Sequence, residues 1–139
     1  MAKIPILYHG TRLTHARAIV GPPPAADVTR GGGEFGRGFY LGESKGMALR
    51  FAFHRSKDPA VVQVELPDET YERLSVRELD HASSNRLRIE AARLKTTYLV
   101  GVDVVVGTIE NEPRKLQHKF ESVAAQTQLN AAATLTVIT

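Results

Sequence analysis

The chain has no cysteine, which excludes a disulfide scaffold, a thiolate zinc site and a cysteine nucleophile. No apolar run comes near the ~20 residues that a membrane-spanning helix requires, so no membrane association is expected. A charged N-terminal region leading into a long apolar stretch, the mark of a secretory signal, is also missing. The expected location is the cytoplasm, either of the producing cell or of a target cell into which the protein is delivered. The five histidines show no ligand spacing, so no metal is expected. There is no dense basic stripe: the formal net charge is +3, with modest clusters at Arg86–Arg93 and Arg114–Lys119. A solvated surface accounts for this scatter, with attraction to nucleotide or RNA phosphates as the alternative.

What the chain does have is enough apolar material for one domain spanning residues 1–139. It is 42% apolar and 24% charged, a balance that supports a core without staples and argues against a disordered tail. Ile4–Tyr8 reads as a strand ending at His9, and Thr14–Val20 as a short helix capped by Thr14. Gly21-Pro22-Pro23-Pro24 stops that helix and opens an irregular segment reaching Gly36, a surface loop able to close over a ligand. Phe39-Tyr40-Leu41 reads as a strand end. Ser44 caps a helix to about Arg55, with Met47, Ala48, Phe51 and Ala52 on one face. Val61–Leu66 is a strand, Arg86–Leu94 a helix presenting Leu87, Ala91 and Leu94, and Val102–Val106 a strand ended by Gly107. Strand Leu116–Phe120, helix Ser122–Leu129 and strand Thr134–Ile138 complete the chain. Strands and helices do not alternate regularly, so the expected class is α+β.

Two motif matches carry different weight. Gly31–Gly36 fits the dinucleotide fingerprint G-x-G-x-x-G, but a proline-rich loop precedes it and a strand follows, the reverse of what that mechanism needs. Gly42-Glu43-Ser44-Lys45-Gly46 fits the nucleophile elbow G-x-S-x-G, with Asp103 and His118 following in triad order. The chain is short for the parallel sheet of an α/β-hydrolase, and a helix cap explains Ser44 as well. A serine hydrolase using Ser44 remains one alternative.

The other pattern is Tyr8-His9-Gly10-Thr11 followed by Gly36-Arg37-Gly38-Phe39-Tyr40-Leu41-Gly42 and a helix. An amide on an aromatic ring needs flat faces around it and backbone groups for the amide. Tyr40 and Phe51 offer rings, Gly10 an unobstructed backbone, and His9 a ring nitrogen for a ribose hydroxyl. Ordinary core packing is the competing account of Tyr40 and Phe51.

These blocks resemble the first two signature blocks of the ADP-ribosyltransferase superfamily, in its His-Tyr-Glu branch. That branch includes the poly(ADP-ribose) polymerases and many small bacterial toxins. Phe35–Leu41, Asp103–Gly107 and Gln117–Phe120 match in turn a Phe-Gly-Lys-Gly-Phe-Tyr-Leu block, an Asp-Val-Val-x-Gly strand and a late Gln-containing strand of small bacterial members. The likeness covers most of the chain and is weak over Pro67–Leu99. It implies two packed, mostly antiparallel sheets around an NAD cleft, edged by helices. It further implies that His9 holds the adenine-side ribose, that Gly10 holds the carboxamide, and that Tyr40 and Phe51 stack on nicotinamide. Thr11, Gly38 and Phe39 complete the NAD-binding blocks. Ala48 stands where the polymerases carry a carboxamide-binding serine. At the third signature position, a glutamate in the family, this chain has Gln117, which orients a ribose but cannot neutralise an oxocarbenium-like centre. Glu121 shares the Gln117 strand face and is a candidate carboxylate, as is a plain solvated role for it; Glu110 and Glu112 are weaker candidates.

The function implied is a mono-ADP-ribosyltransferase that releases nicotinamide from NAD+ and passes ADP-ribose to an unidentified macromolecule, protein or nucleic acid. By analogy the chain would be a bacterial toxin or a toxin–antitoxin effector with a cognate antitoxin. Alternatives are an RNA enzyme like the tRNA 2′-phosphotransferases, which share a His-Gly-Thr block, and a non-catalytic NAD-binding module. Ser44→Ala would cost only a helix cap, about 1 kcal/mol, unless the hydrolase reading holds.

Overall fold

The computed structural model describes residues 6–94 and 99–138. Ile4 and Pro5 of the expected first strand, and the Leu94 side chain, lie outside what is described. The class is α+β, and the strand pairs are mostly antiparallel. The chain divides into two compact units. One comprises Met1–Ala26, Gly42–Arg73 and Thr127–Thr139; the other comprises Asp27–Leu41 and Leu74–Gln126.

The first unit is built on strands β1 (Leu7–Arg12), β5 (Pro59–Glu65) and β9 (Thr134–Ile138), with β5 antiparallel to both neighbours. Gly42, the last residue of β4 (Phe39–Gly42), pairs with Tyr8 of β1. Alternate residues of a strand face opposite ways, yet Val61 and Val62 are both buried. Both faces of β5 are therefore covered, in keeping with its contacts to α1 (Leu13–Val20) and α2 (Lys45–Arg55). A short helix, α3 (Asp68–Glu72), follows β5. Ser44 caps α2 as expected, its hydroxyl accepting from the Met47 N–H at 3.2 Å. Ala48 and Ala52 are the buried positions of α2, while Phe51, expected on the same face, is 49% exposed.

Two boundaries of this unit differ from expectation. Strand β1 does not end at His9 but runs on to Arg12, because Val62, Val61 and Ala60 supply partners for His9, Gly10 and Thr11. Helix α1 begins at Leu13 and its cap position is Arg12, with no side-chain cap, so Thr14 lies inside the first turn.

The second unit places strands in the order β6 (Val76–Glu78), β7 (Val104–Ile109), β8 (Glu112–Phe120), then β4 through Phe39–Leu41. β6 is parallel to β7, and β7 is antiparallel to β8. Helix α4 (His81–Leu94) packs on β7. A small hairpin, β2 (Gly32–Gly33) and β3 (Gly36–Arg37), carries Glu34 and Phe35 at its tip. Phe35 is fully buried and forms a cluster with Leu87 and Val105, flanked by Tyr40, Leu79, Val100 and Val102. Gly107 lies inside β7 and does not end it: a Cβ there would sit 2.6 Å from the Phe35 ring and 2.8 Å from Ser84 Oγ. The glycine is needed for close approach of an aromatic ring, not for termination.

The segment from Gly21 to Gly36, expected as a loop free to close on a ligand, is tied down. Within the first unit the Ala26 N–H donates to Asn130 Oδ1 at 2.8 Å. Within the second, Val28 N–H donates to Gln126 Oε1 at 2.9 Å. Both amides sit on α5 (Val123–Ala132), which runs through the point where the units divide. Ala26, Val28 and Phe35 are all buried, so burial holds this stretch in place as well.

Candidate functional site

The second unit concentrates polar groups in its interior, and one network stands out. Thr108 lies beyond the last residue pair of β6 with β7, so among the described residues its backbone has no strand neighbour on that side. Its N–H donates to Ser84 Oγ at 3.1 Å, and its carbonyl accepts from Arg88 Nη1 at 2.7 Å. Gln117 Nε2, from β8, donates to the same carbonyl at 3.1 Å. Both donors also reach Glu34 Oε1 at the hairpin tip, Arg88 Nη1 at 2.6 Å and Gln117 Nε2 at 2.9 Å. The backbone N–H of Glu110 donates to the same oxygen at 3.2 Å. Asn85 Oδ1 accepts from Arg88 Nε and Nη2, which fixes the guanidinium plane. The Arg88 guanidinium also lies 5.6 Å from the centroid of the Phe35 ring.

This network determines how Gln117 is oriented. Its Nε2 faces a carboxylate and a carbonyl, two groups that only accept, so the amide nitrogen must point at them. Both N–H bonds are then committed, and Oε1 accepts no hydrogen bond among the described residues. Gln117 and Arg88 are buried, whereas the Glu34 side chain keeps about a third of its surface exposed. Beside Glu34 opens a depression of about 270 Å³, lined by Gly33, Glu34, Arg88, Ala91, Ala92 and Glu110.

Glu121 is placed differently. Its carboxylate accepts from Lys119 Nζ at 2.6 Å and from the backbone N–H groups of Val100 and Gly101 at 3.1 and 2.7 Å. Lys119 is fully buried and also donates to the Phe35 carbonyl at 2.7 Å. Burial pulls the Lys119 ammonium below the ordinary lysine range, opposed by the hydrogen bond and charge of Glu121. Strand β8 ends at Phe120, so Glu121 lies one residue beyond the strand on which it was expected to share a face with Gln117, and its oxygens hold this ion pair and the turn before β7.

The Gly36-Arg37-Gly38 block has a packing explanation of its own. Gly36 has a φ of 92°, a conformation that disfavours other residues. A Cβ at Gly38 would lie 2.7 Å from the Lys119 side chain. Tyr40, next but one, is half-buried; its hydroxyl donates to the Gly36 carbonyl at 2.6 Å and accepts from the Phe35 N–H at 2.9 Å. Burial pushes its phenol above the ordinary range, so it stays neutral. A Cβ at Gly33 would come within 2.7 Å of the Tyr40 ring. Phe39 is buried. Arg37 contributes a buried Nε with no hydrogen-bond partner among the described residues.

In the first unit, strand alternation sends His9 and Thr11 to one face of β1 and Gly10 to the other. Gly10 meets helix α2, where a Cβ would lie 2.1 Å from the Ala48 carbonyl oxygen. The space beside Gly10 is therefore occupied by helix backbone. Phe51 carries the Arg55 guanidinium over its ring, 4.4 Å from the centroid.

The triad pattern lacks a link. Asp103 accepts from Ser75 through Oδ2 and from Ser122 through Oδ1, so its carboxylate is not on His118. Among the described residues no cluster of His, Asp and Glu is arranged to hold a metal ion, and no helix is long and apolar enough to cross a membrane.

Glu34 and Arg88 are the residues that reading the chain alone did not single out. The available signals were a lone carboxylate in a glycine-rich stretch and an arginine adjoining Leu87 on the buried side of α4. No protein-family model matches this sequence, and no curated protein is significantly similar to it.

Proposed function

We propose that this chain is an NAD-dependent ADP-ribosyltransferase that displaces nicotinamide and transfers ADP-ribose to a macromolecule. With this goes the finer reading of its fold, an ADP-ribosyltransferase-like pair of sheets around an NAD cleft. The observation that carries the reading is the hydrogen-bonded pair of Gln117 and Glu34. At the position where the superfamily has its glutamate, the amide is held by a carboxylate so that Oε1 is left to accept a ribose hydroxyl. Glu34 then supplies the negative charge that a glutamine lacks, close to the centre that becomes cationic as the glycosidic bond lengthens. His9, Gly10, Thr11, Gly38, Phe39 and Tyr40 take the NAD-binding roles that the resemblance assigns, Glu121 a structural one, and Phe51, with the Arg55 guanidinium over its ring, none. A toxin-type effector, with a cognate antitoxin, is the biological setting proposed by the same analogy.

One observation favours a second reading, a non-catalytic NAD-binding module. Glu34 is already paired with Arg88, and Glu121 with Lys119. The two readings separate in one assay: NAD+ binding by calorimetry, and nicotinamide release by chromatography. The transferase reading expects release and a loss of about tenfold or more in rate for Glu34→Gln. Binding without release by the wild type would establish the module instead.

A further inference from the structure

The first unit carries a charge asymmetry distinct from the network around Gln117. Residues 12–20 and 45–58, which include α1 and α2, hold Arg12, Arg17, Lys45, Arg50, Arg55 and Lys57 against one carboxylate, Asp58. That is a net of +5 in a chain of net +3, so the remainder of the chain is net negative. The excess is focused where the start of α1 meets the end of α2, joined by a hydrogen bond from the Leu13 N–H to the Asp58 carbonyl at 2.8 Å. Between them lies a concavity of about 420 Å³ lined by Arg12, Leu13, Thr14, Arg55, Ser56, Lys57 and Asp58. Three cations, Arg12, Arg55 and Lys57, line it with one carboxylate, Asp58. The first turn of α1 has no acidic residue and no side-chain cap, which adds to the positive potential.

An aromatic ring borders the same place. Phe51 lies one helical turn before Arg55, and the two share a face of α2 with the guanidinium stacked on the ring. The Phe51 side chain is half-exposed, so part of its ring remains open to a ligand. A phosphate suits the concavity, and a flat base suits the ring edge and the guanidinium plane next to it. Alternation of anion and unstacked base is the chemistry of a single-stranded nucleic acid. An acidic peptide offers the charge without the flat group, and a duplex keeps its bases stacked and out of reach.

We propose that the concavity between α1 and α2, together with the Phe51–Arg55 stack, is a docking surface for single-stranded nucleic acid. This goes beyond the transferase reading and does not depend on it, since binding here needs no NAD.

The test is fluorescence anisotropy with labelled oligonucleotides of about ten nucleotides, oligouridine and oligothymidine, without NAD+, over a series of salt concentrations. A duplex and polyglutamate serve as competitors. We expect both single strands to bind and to be displaced poorly by duplex or polyglutamate. The Arg12→Ala/Arg55→Ala/Lys57→Ala variant should bind at least about tenfold more weakly, its salt slope smaller by about 2. Phe51→Ala should weaken binding about tenfold with little change in slope. Arg114→Ala/Lys115→Ala, which removes exposed charge from β8, should bind as the wild type does. Circular dichroism melting of each variant separates lost binding from lost folding. The proposal is overturned by absence of binding at about 50 mM salt, by an unchanged Phe51→Ala, by equal competition from polyglutamate, or by equal loss in the β8 variant.

Discussion

The two units solve the problem of burying a strand ladder in opposite ways. In the first, the central strand is covered by aliphatic side chains, and among the described residues its one buried polar side chain is Thr70. In the second, Ser84, Arg88, Thr108, Gln117, His118, Lys119 and Glu121 are all buried. Sealing charged groups from water costs several kcal/mol per ion unless each is paired and fully hydrogen-bonded. The gain in such a place is orientation: Gln117 and Arg88 are each held by two or more partners and cannot rotate independently. The apolar unit draws its stability from area and the polar unit from pairing, with Arg37 Nε left over, and the latter tolerates the loss of a partner far less well.

The sharpest way to break that contrast is to remove one member of the buried ion pair. Glu121→Ala should destabilise the protein by about 3–5 kcal/mol, because it leaves the Lys119 ammonium buried without its partner. The double variant Lys119→Met/Glu121→Leu should recover most of the loss in urea denaturation. If Glu121→Ala melts like the wild type, the polar unit does not depend on pairing. A smaller effect is expected at Tyr40. Tyr40→Phe keeps the ring but strands the Phe35 N–H and the Gly36 carbonyl, costing about 1–3 kcal/mol. Amide hydrogen exchange should show the change first at Phe35. The smallest effect is set by pH. Although burial raises the Asp103 carboxyl, hydrogen bonds from Ser122 and Ser75 overcome it and hold it below its ordinary value. A carboxyl lowered on folding stabilises the folded state above its unfolded pKa of ~4, and that contribution is lost as the pH falls through the folded pKa. Urea midpoints between about pH 6 and 3 should therefore fall less steeply for Asp103→Asn than for the wild type.

Legibility along the chain followed the range of the interactions. The Ser44 cap, helix α2, and strands β4, β5 and β9 were readable because a cap or an alternating pattern is settled within a few residues. The three-residue β6 was not: its pairing partner in β7 lies 28 residues away, and parallel pairing leaves no local turn signal. Gly107 invited the wrong reading for the same reason, its purpose being set by Phe35 far up the chain. The start of α1 was misjudged because Thr14 is a good cap by type, whereas the extended partner strand carries β1 through to Arg12. At the candidate site, the position of Gln117 on its strand was legible from the motif. Glu34 was not, since hydrogen bonds across 54 and 83 residues leave no periodic trace.

The missing side chain at Gly107 makes one further thing testable by size alone. A strand position without a Cβ and an aromatic ring on a distant hairpin form a matched pair, each shaped to the other's volume. Enlarging the strand partner to alanine should expel the ring and loosen the hairpin tip that carries Glu34, and trimming Phe35 to leucine in the same chain should restore part of the fit. The accuracy with which one carboxylate is aimed thus traces back to a hydrogen atom where any other residue would have carbon.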